Sequence, residues 1–343
     1  MRFIMSSSRE ITAGFVEDVL ANYDLGTVSK AHLSGGGTAN VNTVIETERG
    51  RMFLRRRNPK YCTVDQLVFD HDLMRHLASK GIPGPLPMPT KKGRTWVQTD
   101  GGTFELHRFI DGHRHDRGNR EQIKSAAREL ALFHLAGMNF RCLASKAWPR
   151  YDSPFLIRAA VASIDGRLSP DRHEDMEFVR RQVGKLAKDL PDERYAALPR
   201  YVIHGDYHPA NMLFRDDAVA GIFDLDWASR QPRVRDLADG VLFYAAERAS
   251  DIDGADIVSL TAAMTYNEER IRLFLSTYHK TLPIRSEEMA TLPQFLRARW
   301  LYCRAAGMAK VPDQRKEDYF FRDIRGPLRW IEDHEQNLST LPG

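Results

Sequence analysis

At 343 residues the chain exceeds what one small hydrophobic core can organise, so two lobes or domains are expected. Its composition, 42% hydrophobic and 28% charged, lies well outside the disordered range. The net charge of +4 suits an anionic ligand such as a nucleotide, and with no long Lys/Arg block or basic-aromatic stripe it argues against nucleic acid.

In chain order, the opening MRFIMSSSRE carries an apolar stretch too short for a signal peptide. No apolar run reaches the about 18–20 residues that span a bilayer, so a cytoplasmic protein without a membrane partner is expected. Residues 27–33 and 41–46, rich in Val, Thr and Ile, flank SGGGTAN and predict a hairpin with a glycine-rich tip. ERGR then turns the chain into MFLRRR, a third short strand, so the sheet begins antiparallel. TVDQLVFDHDLMRHLASKGIPGP predicts a helix: Thr63 and Gln66 fit a capping box, Gly81 supplies a left-handed stop, and Pro83 prevents continuation. Asp70 shares its apolar face with Leu73, Met74 and Leu77 and therefore needs a cationic partner, for which the arginines of FLRRR are the nearest supply.

RTWVQT and TFELHRFI predict two more strands, which Asp111 and Gly112 end. Helical spacing follows in NREQIKSAARELALFHLAG and QFLRARWLYCRAAGM. Within that helical half, RYVIHGD and AVAGIFD are short strands that deliver polar clusters to their ends. There is no internal repeat. Cys62, Cys142 and Cys303 lie far apart, with no CxxC pair for a thiolate zinc site or a disulfide framework.

The clusters are HGDYHPAN, from His204 to Asn211, and IFDLDW, with Asp224 and Asp226. One such residue in a loop is commonly a turn former, but turns do not need two neighbouring bursts of them. One chemical reading is a metal-dependent hydrolase: on an extended backbone His204, Asp206 and His208 would point to one side and, with the two later aspartates, ligate a metal. The other is phosphoryl transfer. That chemistry asks for a carboxylate facing the acceptor hydroxyl, oxygen ligands for magnesium, and donors over the phosphates. Asp206 and Asn211 have the D-x-x-x-x-N spacing of a kinase catalytic loop, and Asp224 follows as a second metal ligand.

HGDYHPAN followed by IFDLDW, after a strand-rich lobe, resembles the aminoglycoside phosphotransferase and choline kinase-like family, homoserine kinases included. The resemblance runs from about Leu33 to Gly240. It implies an α+β, bilobal protein-kinase-like fold, with an N-terminal antiparallel β-sheet lobe carrying one helix and a larger, mostly helical C-terminal lobe. The corresponding division is a nucleotide-binding lobe over residues 1–104, a hinge over 105–112, and a catalytic and acceptor-binding lobe over 113–343. It further implies ATP and Mg²⁺ as cofactors and a small-molecule hydroxyl as acceptor: an amino alcohol, a sugar or amino sugar, a homoserine-like compound or an aminoglycoside.

Residue by residue, the resemblance makes Asp206 the catalytic aspartate and Asn211 and Asp224 the magnesium ligands. His204 and Asp236 become structural, and Asp226 supports metal or substrate. Gly35, Gly36, Gly37 and Thr38 cover the nucleotide. Arg55 falls where the family has a phosphate-contacting lysine, with Arg56 as the neighbouring register, and Asp70 falls at the acidic residue that pairs with it. Arg for Lys and Asp for Glu are both departures, and the first changes geometry as well as size. Backbone groups near His107 and Phe109 would meet the adenine. Tyr207, His208 and Trp227 are candidates to line the acceptor site, with Tyr302 and Trp330 further along. His134 is read as a satisfied core histidine. The alternatives are a bacterial Ser/Thr protein kinase of the same fold, a non-enzymatic nucleotide-binding module, and the hydrolase using His204, Asp206 and His208.

Overall fold

The computed structural model describes residues 13–34, 41–165, 168–250 and 256–340. Gly35, Gly36, Gly37 and Thr38 lie outside the described residues, as do residues 251–255 of the acidic run DIDGAD.

The chain enters through a short helix, α1 (Ala13–Leu20), and then lays down β1 (Val28–Ser34), β2 (Val41–Thr47) and β3 (Gly50–Arg56). The helix α2 (Val64–Ser79) follows, then β4 (Val97–Thr99) and β5 (Gly102–Arg108). All five strands form one antiparallel sheet in the order β1-β2-β3-β5-β4. The ends of α2 follow the sequence signals. Thr63 and Gln66 make the reciprocal capping box, and Gly81 takes a left-handed φ of 80° just beyond the last turn.

Strand alternation assigns the arginines of β3 and its continuation to opposite faces. Met52 and Leu54 pack with Ile45, Phe104, Leu106 and the α1 residues Val16 and Val19 in a small core on one face. Arg55 and Arg57, offset by one, project from the other face, and Arg56 goes with Leu54. In β5, Glu105 stands directly opposite Arg55.

The second lobe starts with α3 (Arg120–Gly137), capped by Asn119, whose side chain accepts from the amides of Glu121 and Gln122. Next come α4 (Pro154–Asp165), α5 (His173–Asp189) and α6 (Asp192–Ala197). Two small antiparallel pairs interrupt the helices: β6 (Arg200–Ile203) lies on β9 (Ser229–Pro232), and between them β7 (Met212–Arg215) lies on β8 (Ala218–Ile222). α7 (Val234–Tyr244) leads into β10 (Ala246–Arg248), which pairs with β11 (Met264–Tyr266). α8 (Glu268–Thr281), α9 (Ser286–Met289) and α10 (Leu292–Gly307) follow. Phe295, Leu296, Ala298 and Leu301 of α10 are fully buried. Each buried Leu or Phe stabilises by roughly 1.5–3 kcal/mol, which makes α10 a rigid support for whatever it presents to the cleft. Among the described residues no helix is long and apolar enough to cross a membrane.

Candidate active site

The loop after β6 departs from an extended path at Gly205. Its φ of 81° is left-handed, and a Cβ there would stand 2.5 Å from the Trp227 carbonyl oxygen, so only glycine fits. This turn breaks the alternation that would have aligned His204, Asp206 and His208. His204 faces inward: its Nε2 bonds the Phe223 carbonyl at 2.9 Å and its Nδ1 accepts from the Asp206 amide at 3.3 Å. With both ring nitrogens engaged, His204 is not placed as a metal ligand. Among the described residues no group of three or more His, Cys, Asp and Glu side chains is arranged to hold a metal ion. The arrangement expected for the hydrolase is therefore not formed.

Asp236 in the first turn of α7 ties the loop down. Its carboxylate accepts from the amides of His204 (2.7 Å) and Gly205 (2.8 Å), and it pairs with His134 Nε2 at 3.0 Å. The other nitrogen of His134 meets Tyr278 Oη at 2.7 Å, so this buried histidine is satisfied as a core residue. Tyr207 also turns inward. It is fully buried and its hydroxyl donates to the Ala126 carbonyl at 2.7 Å, which removes it from the expected acceptor-site lining.

Asp206 keeps 26% of its side chain exposed, at the mouth of the loop. Arg299, from the middle of α10, donates through Nη2 to Oδ1 at 2.7 Å, and His208 Nε2 stands 3.3 Å from Oδ2. Burial by itself would raise this carboxyl, but His208 and Arg299 outweigh it and hold it well below the ordinary carboxylate range. The same contact raises the His208 imidazole against the opposing effect of its own burial. Asp239 stands on the far side of Arg299, 2.7 Å from its Nε, so one guanidinium spans two carboxylates. Asn211 closes the loop: its side-chain nitrogen donates to the Asp206 main-chain carbonyl at 3.0 Å, and its own main-chain carbonyl accepts from the Phe223 amide at 2.9 Å. That second bond connects the loop to Asp224, which sits in the left-handed region with φ 64°.

Across the cleft, Arg55 Nη2 donates to Asp224 Oδ1 at 2.9 Å and to Asp226 Oδ2 at 2.8 Å. The expected pairing of Arg55 with Asp70 is not formed. Asp70 instead accepts from Arg57 Nη2 at 2.6 Å and from Lys146 Nζ, a residue that also donates to the Leu225 carbonyl at 2.8 Å. Strand parity excludes Arg56, which shares the face of Leu54; of the two arginines on the other face, Arg57, just beyond β3, meets Asp70, while Arg55 reaches Asp224 and Asp226. Arg57 further donates to Glu105 (2.8 Å) and Asp226 (2.6 Å), and Arg57, Asp70 and Glu105 have no exposed side-chain surface. Lys146 and Arg299 lie in no sequence motif, and Arg57 is legible only as one of the FLRRR arginines that could meet Asp70. A cationic partner for Asp70 was the one signal available.

The expected adenine contacts need a correction as well. The Phe109 amide donates to the Arg51 carbonyl at 3.1 Å and is therefore not offered to a base. His107 lies in mid-strand between Phe53 and Pro87, with its ring buried. Trp227 remains half-buried beside Trp148 and Tyr61, with ring centroids 5.2 and 6.1 Å away, while Trp330 stacks on His334 as packing.

This geometry has relatives. The model of the phosphotransferase enzyme family matches residues 31–274. The homoserine kinase of Afipia carboxidovorans is 28% identical over 311 residues, covering 90% of this chain and 88% of that protein. Among solved structures, an aminoglycoside phosphotransferase from Alicyclobacillus acidocaldarius superposes with a TM-score of 0.68 at 15% identity, covering 98% of this chain and 99% of that one. An amicoumacin kinase in complex with AMP-PNP and Ca²⁺ superposes equally well, with a TM-score of 0.68 at 15% identity, covering 94% and 93%. The bilobal kinase-like fold is thus established, and a family match over most of the chain identifies it as a member of the phosphotransferase enzyme family, an ATP-dependent kinase of small molecules.

Proposed function

We propose that the protein moves the γ-phosphoryl group of ATP to a hydroxyl of a small molecule, with Asp206 as the catalytic carboxylate, and that it works in the cytoplasm. The acceptor oxygen forms a bond to phosphorus, the bond to the bridging oxygen of ADP breaks, and the hydroxyl proton passes to Asp206. The observation that carries this reading is the setting of Asp206. It is a partly exposed carboxylate at a loop mouth, braced through one oxygen by Arg299 and with the other 3.3 Å from His208. Because it is held well below the ordinary range it stays ionised, so it orients the hydroxyl and takes the proton once attack on phosphorus has made that proton acidic.

The residues present fit magnesium. The amide nitrogen of Asn211 is committed to the loop, which leaves its side-chain oxygen as the free donor, and the Asp224 carboxylate keeps 35% exposure. Two hard oxygen donors of this kind suit an ion that leans on nucleotide phosphates for its remaining ligands. Asn211 and Asp224 would hold Mg²⁺, with Asp226 in support, and the ion would neutralise charge on the phosphates. Gly35, Gly36, Gly37 and Thr38 would cover the nucleotide and Arg55 would contact its phosphates, with residues 105–112 as the hinge between a nucleotide lobe and a catalytic lobe. His208 and Trp227 stay as candidates for the acceptor side, and His204 and Asp236 act as scaffold.

The test is ADP release with Mg-ATP over amino alcohols, amino sugars, hydroxy amino acids and aminoglycosides. For the best acceptor, Asp206→Asn should lower kcat by roughly 10²–10⁴-fold while leaving ATP binding intact. Full turnover by that variant would refute the mechanism.

A further inference from the structure

The acceptor side of the cleft holds a positive charge that the mechanism above does not use. Arg248 ends β10, and in the β10–β11 ladder it stands opposite Met264, while Tyr266 stands opposite Ala246. Steps of two on each strand put Arg248 and Tyr266 on one face of the hairpin, as diagonal neighbours. Tyr266 is 5% exposed and its hydroxyl has no hydrogen-bond partner. Arg248 remains partly open to solvent, yet its Nε and Nη1 are enclosed and meet no acceptor. Among the described residues no carboxylate pairs with it. Arg304, one turn beyond Arg299 on α10, is fully buried and bonded only to backbone carbonyls, with its Nε unsatisfied. Burial without a counter-ion pulls Arg248 down to about 10 and Arg304 to about 9. Enclosed cationic donors lacking an anion are costly, and a protein keeps them where a ligand supplies the partner.

The position of Arg248 says which ligand. Its guanidinium carbon lies 5.4 Å from the centroid of Phe243, the same ring that has the Arg299 guanidinium at 5.6 Å and the His208 imidazole at 5.3 Å. Arg248 is therefore one aromatic ring away from the two groups that flank Asp206. Tyr302 and Cys303, half-buried on α10, lie within electrostatic reach of Asp206 as well. Asp206, His208, Tyr302, Cys303 and Arg248 are each partly exposed, next to the buried faces of α7 and α10.

We propose that Arg248, with Tyr266 beside it, is the recognition point for an anionic group on the acceptor, so that the substrate is a small alcohol bearing a carboxylate or a phosphate. This rests on the small-molecule kinase reading and narrows it. A polyammonium acceptor would meet Arg248, Arg299 and Arg304 where it needs carboxylates.

The experiment compares acceptors that differ only in that group: hydroxy amino acids and hydroxy acids, their neutral amides, and hydroxyalkyl phosphates, each with Mg-ATP and wild-type protein, Arg248→Gln and Arg248→Lys. The wild type should favour an anionic member over its neutral counterpart, and the carboxylate and phosphate arms identify which anion is used. Arg248→Gln should raise KM for that acceptor at least roughly tenfold with kcat and KM for ATP little changed, and should erase the preference over the amide. Arg248→Lys should restore part of it. Equal turnover of acid and amide by the wild type, or an unchanged acceptor KM in Arg248→Gln, overturns the subsite alone. If Arg248→Gln does not fold, the wild-type preference decides. No ADP release above background with any of these acceptors would overturn the kinase reading and the subsite together.

Discussion

On the sheet side of the cleft, Arg55 and Arg57 meet the carboxylates of Asp70, Glu105, Asp224 and Asp226, and Lys146 joins them from the helical lobe. On the helical side, Arg299 spans Asp206 and Asp239, while Arg248 and Arg304 have no carboxylate partner among the described residues. Every cation of the first network has a carboxylate partner, and the network crosses between the lobes, since Arg57 comes from the sheet side and Asp226 follows β8. The second is left positive. A matched buried network holds structure together, whereas an unmatched one marks where charge is to be supplied from outside.

Substitutions on the two sides should therefore fail differently. The largest effect belongs to Arg57→Met, which leaves Asp70 with Lys146 and takes the guanidinium from Glu105 in a fully buried site. It should cost about 3–5 kcal/mol in chemical denaturation, with the catalytic loop chemistry untouched in whatever fraction stays folded. A stable Arg57→Met protein would break the distinction between the sides. Arg299→Gln comes next. It leaves Asp206 without its brace and Asp239 without its counter-ion, and on the proposed role of Asp206 kcat should fall by roughly 10–100-fold. Partial recovery in Arg299→Lys would separate positioning from packing. Arg55→Ala should then weaken ATP by about tenfold, measured by titration calorimetry, and unchanged affinity would remove Arg55 from the phosphate site.

The smallest effect is a pH slope. The folded His208 imidazole titrates above its ordinary value because burial, which lowers it, is outweighed by Asp206. The native state then binds more protons than the unfolded chain between the two values. The stabilisation is present in full below about 6.5, the unfolded value, and fades as pH rises through the folded one. Thermal melts of wild type and His208→Gln should converge at alkaline pH and separate on acidification. Parallel curves would mean that His208 does not carry charge beside Asp206.

Much of the motif-bearing part of the site was legible because its information is local. A five-residue spacing fixes Asp206 and Asn211 in one loop, IFDLDW delivers Asp224, and Thr63 and Gly81 mark both ends of the helix that carries Asp70. What failed to read was orientation. Strand parity excludes Arg56 but leaves Arg55 and Arg57 on one face, so which of them meets Asp70 is set by tertiary packing, and the inward turn of His204 and Tyr207 depends on one positive φ at Gly205. The helical side was nearly silent for a different reason. Arg248 and Arg299 reach the loop from a short strand and from a helix some 40 and 90 residues downstream, and only tertiary packing around Phe243 and Asp206 brings them there. Nothing in ordinary helical periodicity distinguishes such an arginine from a surface one.

The central claim is that phosphate passes from ATP to a small hydroxyl compound at Asp206. Phosphorus NMR of a mixture of wild-type protein, Mg-ATP and a hydroxy acid tests it directly. The account predicts ADP and a new phosphomonoester appearing in equal amounts, and neither with Asp206→Asn. Inorganic phosphate as the sole new product, or label found only on protein, would contradict it.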